Sequence, residues 1–240
     1  MTEISYGLSS TAWNCVIKDI ENIIIDGQYR KVIEIGGGAN PTLSTEFILR
    51  HRIEYTLLDI SQSELDKAPA DYLKICADIC ESNFVCDEKY DFAFSRMLAE
   101  HVSSGERFHR NVKSLLRVQG VAFHFFPTMF APPFVVNYLL PERLAESVLH
   151  LMQPGRERSG KVGKFPARYS WCRGPSRSQV QRFESLGYEV KKYSGFFGHE
   201  PYYRKIPFIH YLHLKVCNYL YKHPVVMLTS FAQVILMRVW

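Results

Sequence analysis

The amino-acid sequence predicts an α/β fold in which about seven mostly parallel strands form one sheet, with helices on both faces. Three observations predict this fold class. Short apolar runs alternate with helical segments through the first half of the chain. Three glycines, Gly36, Gly37 and Gly38, follow the first of these runs directly. Acidic residues, Asp59 and Asp78, stand at the ends of the next two. Strands that alternate with helices in this way build parallel sheets.

The predicted elements follow in regular order along the chain. Strands are predicted at residues 30–35, 54–58, 72–77, 90–94, 120–126, 188–193 and 231–239. Helices are predicted at residues 10–25, 42–50, 63–67, 106–116, 141–152 and 178–186. The strand segments are short apolar runs, as in a sheet that is buried on both faces. Pro41 suits the first turn of the second helix, where its missing N–H would have no partner in any case.

The regular alternation ends after Pro127. Residues 129–177 contain proline, glycine and many basic residues, so they are predicted to form a substrate-side insertion between the fifth and sixth strands. The chain has 240 residues, of which 47% are hydrophobic and 22% are charged. This length and composition are typical of a folded protein, and residues 1–240 are therefore predicted to form a single domain that carries the insertion.

The net charge and the cysteines bear on which substrates, metal sites and cellular compartment are expected. The formal net charge of +5 favours an anionic substrate or surface, but by itself it does not predict nucleic-acid binding. The six cysteines include no Cys-x-x-Cys pair, and no histidine completes a zinc-like spacing, so no metal site is expected. Free thiols suit a reducing cytoplasm, and the start of the chain lacks a signal-peptide pattern, so a cytoplasmic protein is predicted.

Two apolar stretches could be either buried core or sites of contact with a membrane. Residues 120–141 contain no acidic residue, lysine or arginine, but prolines interrupt them. Residues 224–237 are apolar as well, yet too short to cross a bilayer. Both stretches are predicted to be buried core, and peripheral contact with a membrane is the alternative.

The glycine-rich loop is the first candidate ligand-binding site along the chain. It runs from Gly36 to Asn40 and follows Glu34 at the end of a predicted strand. Glycines at this place let the backbone turn tightly and approach a ligand closely. Such a loop could bind a dinucleotide, but the dinucleotide pattern requires a third glycine where this chain has Pro41. A nicotinamide cofactor is therefore disfavoured.

The motifs of residues 30–128 together resemble those of the class I, Rossmann-like, S-adenosylmethionine-dependent methyltransferases. The resemblance implies S-adenosyl-L-methionine as the cofactor and S-adenosyl-L-homocysteine as the product. It implies that Gly36, Gly37, Gly38 and Asn40 pass under the methionine part of the cofactor, with Glu34 near its amino group. Asn40 stands where many members have another glycine, and asparagine tolerates a positive φ better than most residues.

Residues after three further strands extend the resemblance. It implies cofactor contacts by Asp59, Ile60, Asp78, Ile79, Ser95 and Arg96. Asp59 would accept hydrogen bonds from both ribose hydroxyls, because a carboxylate offers two oxygens to two neighbouring donors. Asp78 would accept one from the adenine amine, while Ile79 packs on the ring. Helix caps or surface acids are the alternative explanation for each carboxylate on its own.

Two histidines are candidate catalytic bases. His101 follows the fourth strand near the expected methyl-transfer face, and an imidazole titrates in a useful pH range. A packing or cofactor-shaping role is the alternative, because the resemblance implies that family members with different substrates also have a Glu-His pair at this place. His199 lies in an aromatic, glycine-containing loop that could cover the substrate. His124 is interpreted as a core histidine, and His210 and His213 as surface or packing residues rather than metal ligands.

The basic and aromatic part of the insertion is the candidate acceptor site. Arg168, Tyr169, Trp171 and Arg173 combine cations that pair with phosphate or carboxylate with rings that stack on a sugar. A basic surface loop is the alternative. The second half of the chain also resembles bacterial methyltransferases associated with cell-surface polysaccharide or secondary-metabolite assembly.

These observations predict an S-adenosylmethionine-dependent methyltransferase of biosynthesis that O-methylates a saccharide or another hydroxylated small molecule. C- or N-methylation of a natural-product or lipid-like acceptor is the first alternative, and a non-catalytic binding partner that keeps the fold is the second. Nucleic acid is not expected as a substrate, because no Asn-Pro-Pro-Tyr or Asp-Pro-Pro-Tyr motif follows the fourth strand. A monomer and a homodimer are both compatible with the sequence.

Overall fold

A computed structural model of the chain describes residues 2–129, 167–203 and 206–240. The strands are β1 (Glu3–Leu8), β2 (Lys31–Ile35), β3 (Glu54–Asp59), β4 (Leu73–Cys76), β5 (Tyr90–Arg96), β6 (Leu116–Pro127), β7 (Tyr188–Phe197) and β8 (Phe231–Arg238). The helices of the described part are α1 (Ser9–Asp26), α2 (Thr45–His51), α3 (Gln62–Leu65), α4 (Gly105–Leu115), α5 (Arg177–Ser185), α6 (Glu200–Tyr203) and α7 (Pro207–Lys222), followed by a 3₁₀ turn at Val226–Leu228.

The strands form one sheet with the order β1-β7-β8-β6-β5-β2-β3-β4. β8 is antiparallel to both of its neighbours, and the other pairs are parallel. The carboxyl ends of all strands except β8 therefore lie at one edge of the sheet. The chain leaves β2 toward β3 and β4, and β5 toward β6, so the strand order reverses between β2 and β5. Ligands of open α/β sheets bind at such a reversal.

The centre of the sheet is buried on both faces. Phe92, Ala93 and Phe94 are consecutive in β5 and have no exposed surface. Because successive side chains of a strand point to opposite faces, both faces of the sheet must be covered. On α1, the buried residues Ala12, Val16, Ile20 and Ile24 recur at three- and four-residue spacing. The predicted α/β fold is thus confirmed.

The sheet has one strand more than the sequence indicated. β1 pairs in parallel with β7 at the edge of the sheet, from Glu3 beside Lys192 to Leu8 beside Phe197. Ile4 remains 46% exposed, as expected of an edge strand. A short segment that alternates polar, apolar and glycine residues gives no continuous apolar run, and this explains why β1 was not predicted.

The start of the second helix was predicted wrongly. It begins at Thr45, not near Pro41, because the Ser44 side chain caps it by accepting a hydrogen bond from the Phe47 amide at 3.2 Å. Residues 41–44 instead lead the chain away from the glycine-rich loop. The short helix α6 and the long helix α7 were not predicted as elements either.

Some predictions fall beyond the described part of the chain. The helix predicted at 141–152 and most of the insertion at 129–177 lie outside the described residues, so the division into one domain with an insertion stays a prediction. Of the apolar stretches, residues 120–127 lie in the buried strand β6 and residues 231–236 lie in the largely buried strand β8, whereas Met227 and Leu228 are exposed. Within the described residues, no helix is both long and apolar enough to cross a membrane.

Candidate cofactor and acceptor site

A cavity of about 460 Å³ lies at the carboxyl ends of β2, β3, β4 and β5, where the strand order reverses. Its volume is in the range of small-molecule sites. The wall is largely apolar, from residues such as Ile35, Leu58, Met97, Leu98 and Val102. The sequence-predicted site residues in its lining are Gly36, Asp59, Ile60, Asp78, Ile79, His101 and Arg168.

Two glycines of the loop are required by its geometry. Gly36 has a φ of +79°, and a Cβ at this position would lie 2.8 Å from the Leu98 side chain. Gly38 has a φ of +40°, and its Cβ would lie 3.0 Å from an Asp59 carboxylate oxygen. The loop thus turns tightly and leaves Asp59 room beside it. Gly37, Gly38 and Asn40 do not line the cavity; the Asn40 amide closes a turn onto the Gly37 carbonyl at 2.9 Å.

Glu34 faces the protein rather than the cavity. It is buried, and its carboxylate accepts hydrogen bonds from the Thr42 amide at 2.9 Å, from the Thr42 hydroxyl at 2.5 Å and from the Tyr55 hydroxyl. Burial raises the pKa of the Glu34 carboxyl, and these donors lower it in part. Both of its oxygens are thus engaged, by Thr42 beyond the loop and by Tyr55 on the neighbouring strand β3. The structure places Glu34 where it fixes the end of β2 to the segment that follows the glycines.

Asp59 and Asp78 supply carboxylates to the cavity. Asp59 ends β3, is half-buried and accepts a hydrogen bond from the Ser61 amide at 2.9 Å. Its pKa is raised, chiefly by burial and also by the nearby Glu64. Asp78 accepts from the Cys80 amide at 2.7 Å. In both residues Oδ1 accepts the hydrogen bond, which orients the carboxyl group at the cavity wall.

The residues of the cavity fit S-adenosylmethionine. Two oriented carboxylates suit the hydroxyl and amine donors of an adenosine group. Apolar side chains, among them Ile60 and Ile79, form most of the remaining wall, and such a wall suits the adenine ring. The glycine-rich loop brings backbone to the cavity at Gly36.

Ser95 and Arg96 lie next to the cavity but do not line it. Ser95 is fully buried, and its hydroxyl lies 2.8 Å from Nδ1 of His124. His124 is a core residue of β6, as interpreted from the sequence. The charge of Arg96 acts on Glu34, whose pKa it lowers. Sequence reasoning missed Met97 and Leu98, which line the cavity directly after β5; their place at the carboxyl end of a strand was the available signal.

Glu100, His101 and Arg168 meet at one side of the cavity. His101 lines the cavity, and its Nε2 lies 3.6 Å from Oε1 of the buried Glu100. Burial raises the pKa of the Glu100 carboxyl to about 8, and Oε2 has no hydrogen-bond partner among the described residues. The Glu100 carbonyl accepts hydrogen bonds from the amides of Arg168 at 2.7 Å and Tyr169 at 3.0 Å. Arg168 is exposed and lines the same cavity as His101.

The other three residues predicted to bind the acceptor are turned into the protein. Tyr169 is buried, and the Trp171 ring stacks on His109 with ring centroids 5.9 Å apart. Arg173 donates to the Tyr169 and Cys172 carbonyls at 3.0 and 3.1 Å. None of the three lines the cavity. Positive φ angles at Tyr169 (49°) and Trp171 (64°) set these ring directions, and sequence spacing does not reveal them.

His199 lies at the carboxyl end of β7, and β8 and β6 separate that strand from β5. Its backbone amide donates to Nε2 of His213 at 3.0 Å, and its ring meets Phe231 edge to face at 5.3 Å. Burial, and then the nearby His213, lower the pKa of His199 to about 4. The structure therefore does not bring His199 to the cavity that His101 lines. His213 packs against Tyr203 and contacts Cys217.

No group of three or more His, Cys, Asp or Glu side chains within residues 2–129, 167–203 and 206–240 is arranged to hold a metal ion. All six cysteines are free thiols.

Comparison with known proteins identifies the class. Residues 33–124 match a family model described as a methyltransferase domain. This segment contains the glycine-rich loop, Asp59, Asp78 and His101. No curated protein matches the sequence.

Solved structures agree with this match. A methyltransferase from Clostridium acetobutylicum has 10% identity and a TM-score of 0.56, over 92% of this chain and 90% of that one. One from Archaeoglobus fulgidus has 13% identity and a TM-score of 0.53, over 92% and 94%. Geranyl diphosphate C-methyltransferase from Streptomyces coelicolor has 9% identity and a TM-score of 0.54, over 92% and 79%. Identities this low show the fold alone.

The fold and the matched domain together define the class of this chain. The chain carries a methyltransferase domain over residues 33–124 and has the Rossmann-like fold seen in S-adenosylmethionine-dependent methyltransferases.

Proposed function

We propose that the enzyme transfers the methyl group to a hydroxyl of a small molecule, such as a saccharide, that carries an anionic group. The observation behind the proposal is that His101 and Arg168 line one cavity together with Asp59 and Asp78. A base, a cation and the carboxylates for the cofactor are thus available at one place.

Asp59 and Asp78 are the residues proposed to hold the nucleoside of the cofactor, with Ile60 and Ile79 against the adenine. Gly36 lets the backbone approach the methionine part. When bound, S-adenosylmethionine supplies an activated methyl group, and S-adenosylhomocysteine remains after transfer. The protein then has to position the acceptor, exclude water and remove one proton.

His101 is proposed as the base that takes this proton. Its imidazole lines the cavity, and Glu100 lies 3.6 Å from its Nε2 on the protein side. As the acceptor oxygen bonds to the methyl carbon, the hydroxyl proton passes to a ring nitrogen of His101. The carboxyl group of Glu100 lies beside the ring and is positioned to orient the imidazole.

Arg168 is proposed to select the anionic group of the acceptor. Its backbone amide donates a hydrogen bond to the Glu100 carbonyl, and the exposed residue lines the cavity. A guanidinium binds phosphate or carboxylate through two parallel hydrogen bonds. The charge of Arg168 also agrees with the net charge of +5.

A lipid-like acceptor is the second candidate, because the cavity wall is mostly apolar. One protein of the same fold is in complex with geranyl diphosphate, which is both apolar and anionic. An acceptor of this kind would also use Arg168, but C-methylation would require a base for a carbon-bound proton.

A screen of acceptors tests the proposal. The purified chain is incubated with S-adenosylmethionine and with neutral sugars, uronic acids, sugar phosphates, phenols and isoprenoid diphosphates, and products are identified by mass spectrometry and carbon NMR. The expected product is an O-methyl ether of an anionic hydroxylated compound. A C- or N-methylated product would overturn O-methylation in favour of the second candidate. Cofactor binding without turnover on any acceptor would favour a non-catalytic binding partner.

A further inference from the structure

Helix α7 (Pro207–Lys222) contacts the rest of the protein along a narrow face. Its buried residues are Cys217 and Leu220, which pack with Phe197 at the end of β7. His213, one turn before Cys217, is partly buried and packs against Tyr203. Positions 213, 217 and 220 lie on one side of a helix. The remaining sides of α7 face away from the sheet.

These other sides of α7 are mostly apolar and exposed. Phe208 is 77% exposed and Tyr219 is 63% exposed. Tyr211 and Leu212 lie between them on the face opposite Cys217, and they are exposed as well. Val225 and the adjoining 3₁₀ turn, with Met227 and Leu228, are exposed as well. We call these seven residues, together with Lys215 and Lys222, the α7 surface. Contiguous exposed apolar patches mark interaction sites.

The charges on the α7 surface have one sign. Residues 201–240 contain no aspartate or glutamate. Lys215 and Lys222 are exposed and fall at helical spacing with Phe208, Leu212 and Tyr219. The Lys215 ammonium lies 5.4 Å from the centre of the Tyr211 ring. Lysines beside exposed tyrosine, phenylalanine and leucine are typical of helices that lie in the interface of an anionic membrane.

A second copy of the chain fits the α7 surface less well. In a symmetric dimer the same patch meets itself, so the lysines of both copies would approach each other. The patch has no acidic residue to pair with them. An anionic bilayer offers opposite charge to the lysines, a polar headgroup layer to the tyrosine hydroxyls and acyl chains to Phe208, Leu212 and Met227.

We propose that the α7 surface binds the headgroup and upper acyl region of a bilayer that contains anionic lipid. α7 follows β7, whose carboxyl end lies at the same edge of the sheet as the cavity. Membrane binding through α7 is independent of the acceptor, and it does not require the proposed chemistry at His101.

Cosedimentation of the full chain with lipid vesicles tests the proposal. Vesicles of phosphatidylcholine with phosphatidylglycerol are compared with vesicles of phosphatidylcholine alone. Two double variants change the α7 surface: Phe208→Ser with Leu212→Ser, and Lys215→Glu with Lys222→Glu. We expect the wild-type chain to bind the anionic vesicles more tightly than the neutral ones. Each double variant should bind the anionic vesicles at least about tenfold more weakly than the wild-type chain does.

Matched controls change the same chemistry elsewhere. Leu49→Ser removes an exposed leucine of α2, and Arg107→Glu with Arg110→Glu makes the same change of charge on α4. Both controls should bind vesicles like the wild-type chain, and circular dichroism should show that every variant is folded.

Three results would overturn the proposal. The first is no binding of the wild-type chain to anionic vesicles, as expected if another part of the chain covers α7. The second is equal loss of binding in the control and α7 variants. The third is a dimer in sedimentation velocity that Phe208→Ser with Leu212→Ser dissociates while lipid has no effect, since this assigns the surface to a second copy.

Discussion

The main-chain carbonyl oxygen of Glu100 accepts a hydrogen bond from the amide of Arg168 at 2.7 Å. This bond joins the loop after β5 to a segment that is far away in the sequence. As a result, His101 and Arg168 line the same cavity. The proposed base and the proposed anion-binding group are thus held together by the hydrogen bonds that the Glu100 carbonyl accepts from the amides of Arg168 and Tyr169.

Replacing Arg168 by alanine should weaken acceptor binding without slowing the chemical step. We expect the KM for the best anionic acceptor to rise about tenfold, because a charge-assisted hydrogen bond contributes about 1.5 kcal/mol or more. Steady-state kinetics measure KM and kcat separately. Arg177→Ala is the control, since Arg177 is exposed in the same basic stretch but does not line the cavity. Equal effects of the two substitutions would contradict the role of Arg168.

Replacing His101 by glutamine should remove the proposed base while keeping a polar side chain of similar reach. We expect kcat to fall about 100-fold or more, as is common when a general base is lost. The affinity for S-adenosylhomocysteine, measured by calorimetry, should change little. A variant with unchanged kcat would leave His101 as a residue that shapes the cofactor pocket, as the sequence also allowed.

Glu100 should make stability depend on pH. Its pKa is raised to about 8, whereas the unfolded chain releases the proton near pH 4.5. Between these values the folded protein holds a proton that the unfolded chain has lost, so the free energy of unfolding falls as pH rises. The stabilisation is complete below the unfolded pKa and is lost once the pH passes about 8.

Glu100→Gln removes this dependence. The wild-type chain loses stability as the pH rises from about 5 to about 8, and the variant does not. The free energy of unfolding of the variant, minus that of the wild-type chain, should therefore increase by about 1 kcal/mol or more over this range. Urea unfolding at several pH values measures the difference. If the wild-type and variant proteins differ by a constant amount over this range, Glu100 is ionised in the folded protein and the prediction fails.

The hydrogen bonds of Glu34 should stabilise the glycine-rich loop. Tyr55→Phe removes one donor from a buried carboxylate, which should lower the free energy of unfolding by about 1–3 kcal/mol in urea. Tyr6→Phe is the control, because the Tyr6 hydroxyl has no hydrogen-bond partner within the described part of the chain, and it should cost less than about 0.5 kcal/mol. Equal losses in both variants would show that Glu34 does not depend on Tyr55.

The sequence was sufficient to predict the residues at the carboxyl ends of the central strands. Asp59 and Asp78 follow short apolar runs, and in a parallel sheet such ends meet at one edge. It was not sufficient for α7, whose residues are apolar on nearly every side and therefore show no period. Only Cys217 and Leu220 of this helix are buried, so its apolar residues do not mark a buried face.

The direction in which side chains point was the other feature that the sequence could not predict. Glu34 was expected near the cofactor, but the side chain is turned to Thr42 and Tyr55, which are distant in sequence or beyond the loop. Tyr169 and Trp171 were expected at the acceptor, but both have a left-handed backbone, and Tyr169 is buried while Trp171 packs against the core. Of the four residues predicted to bind the acceptor, Arg168 is the one that lines the cavity.

Calorimetric titration with S-adenosylmethionine and S-adenosylhomocysteine tests the assignment of the cavity most directly. The wild-type chain should bind both, Asp59→Ala should bind them at least about tenfold more weakly, and Asp71→Ala, which removes an exposed acid outside the cavity, should bind like the wild-type chain. Equal affinity of Asp59→Ala and the wild-type chain, or no binding by folded wild-type protein, would contradict the cofactor site described at the ends of β2 to β5.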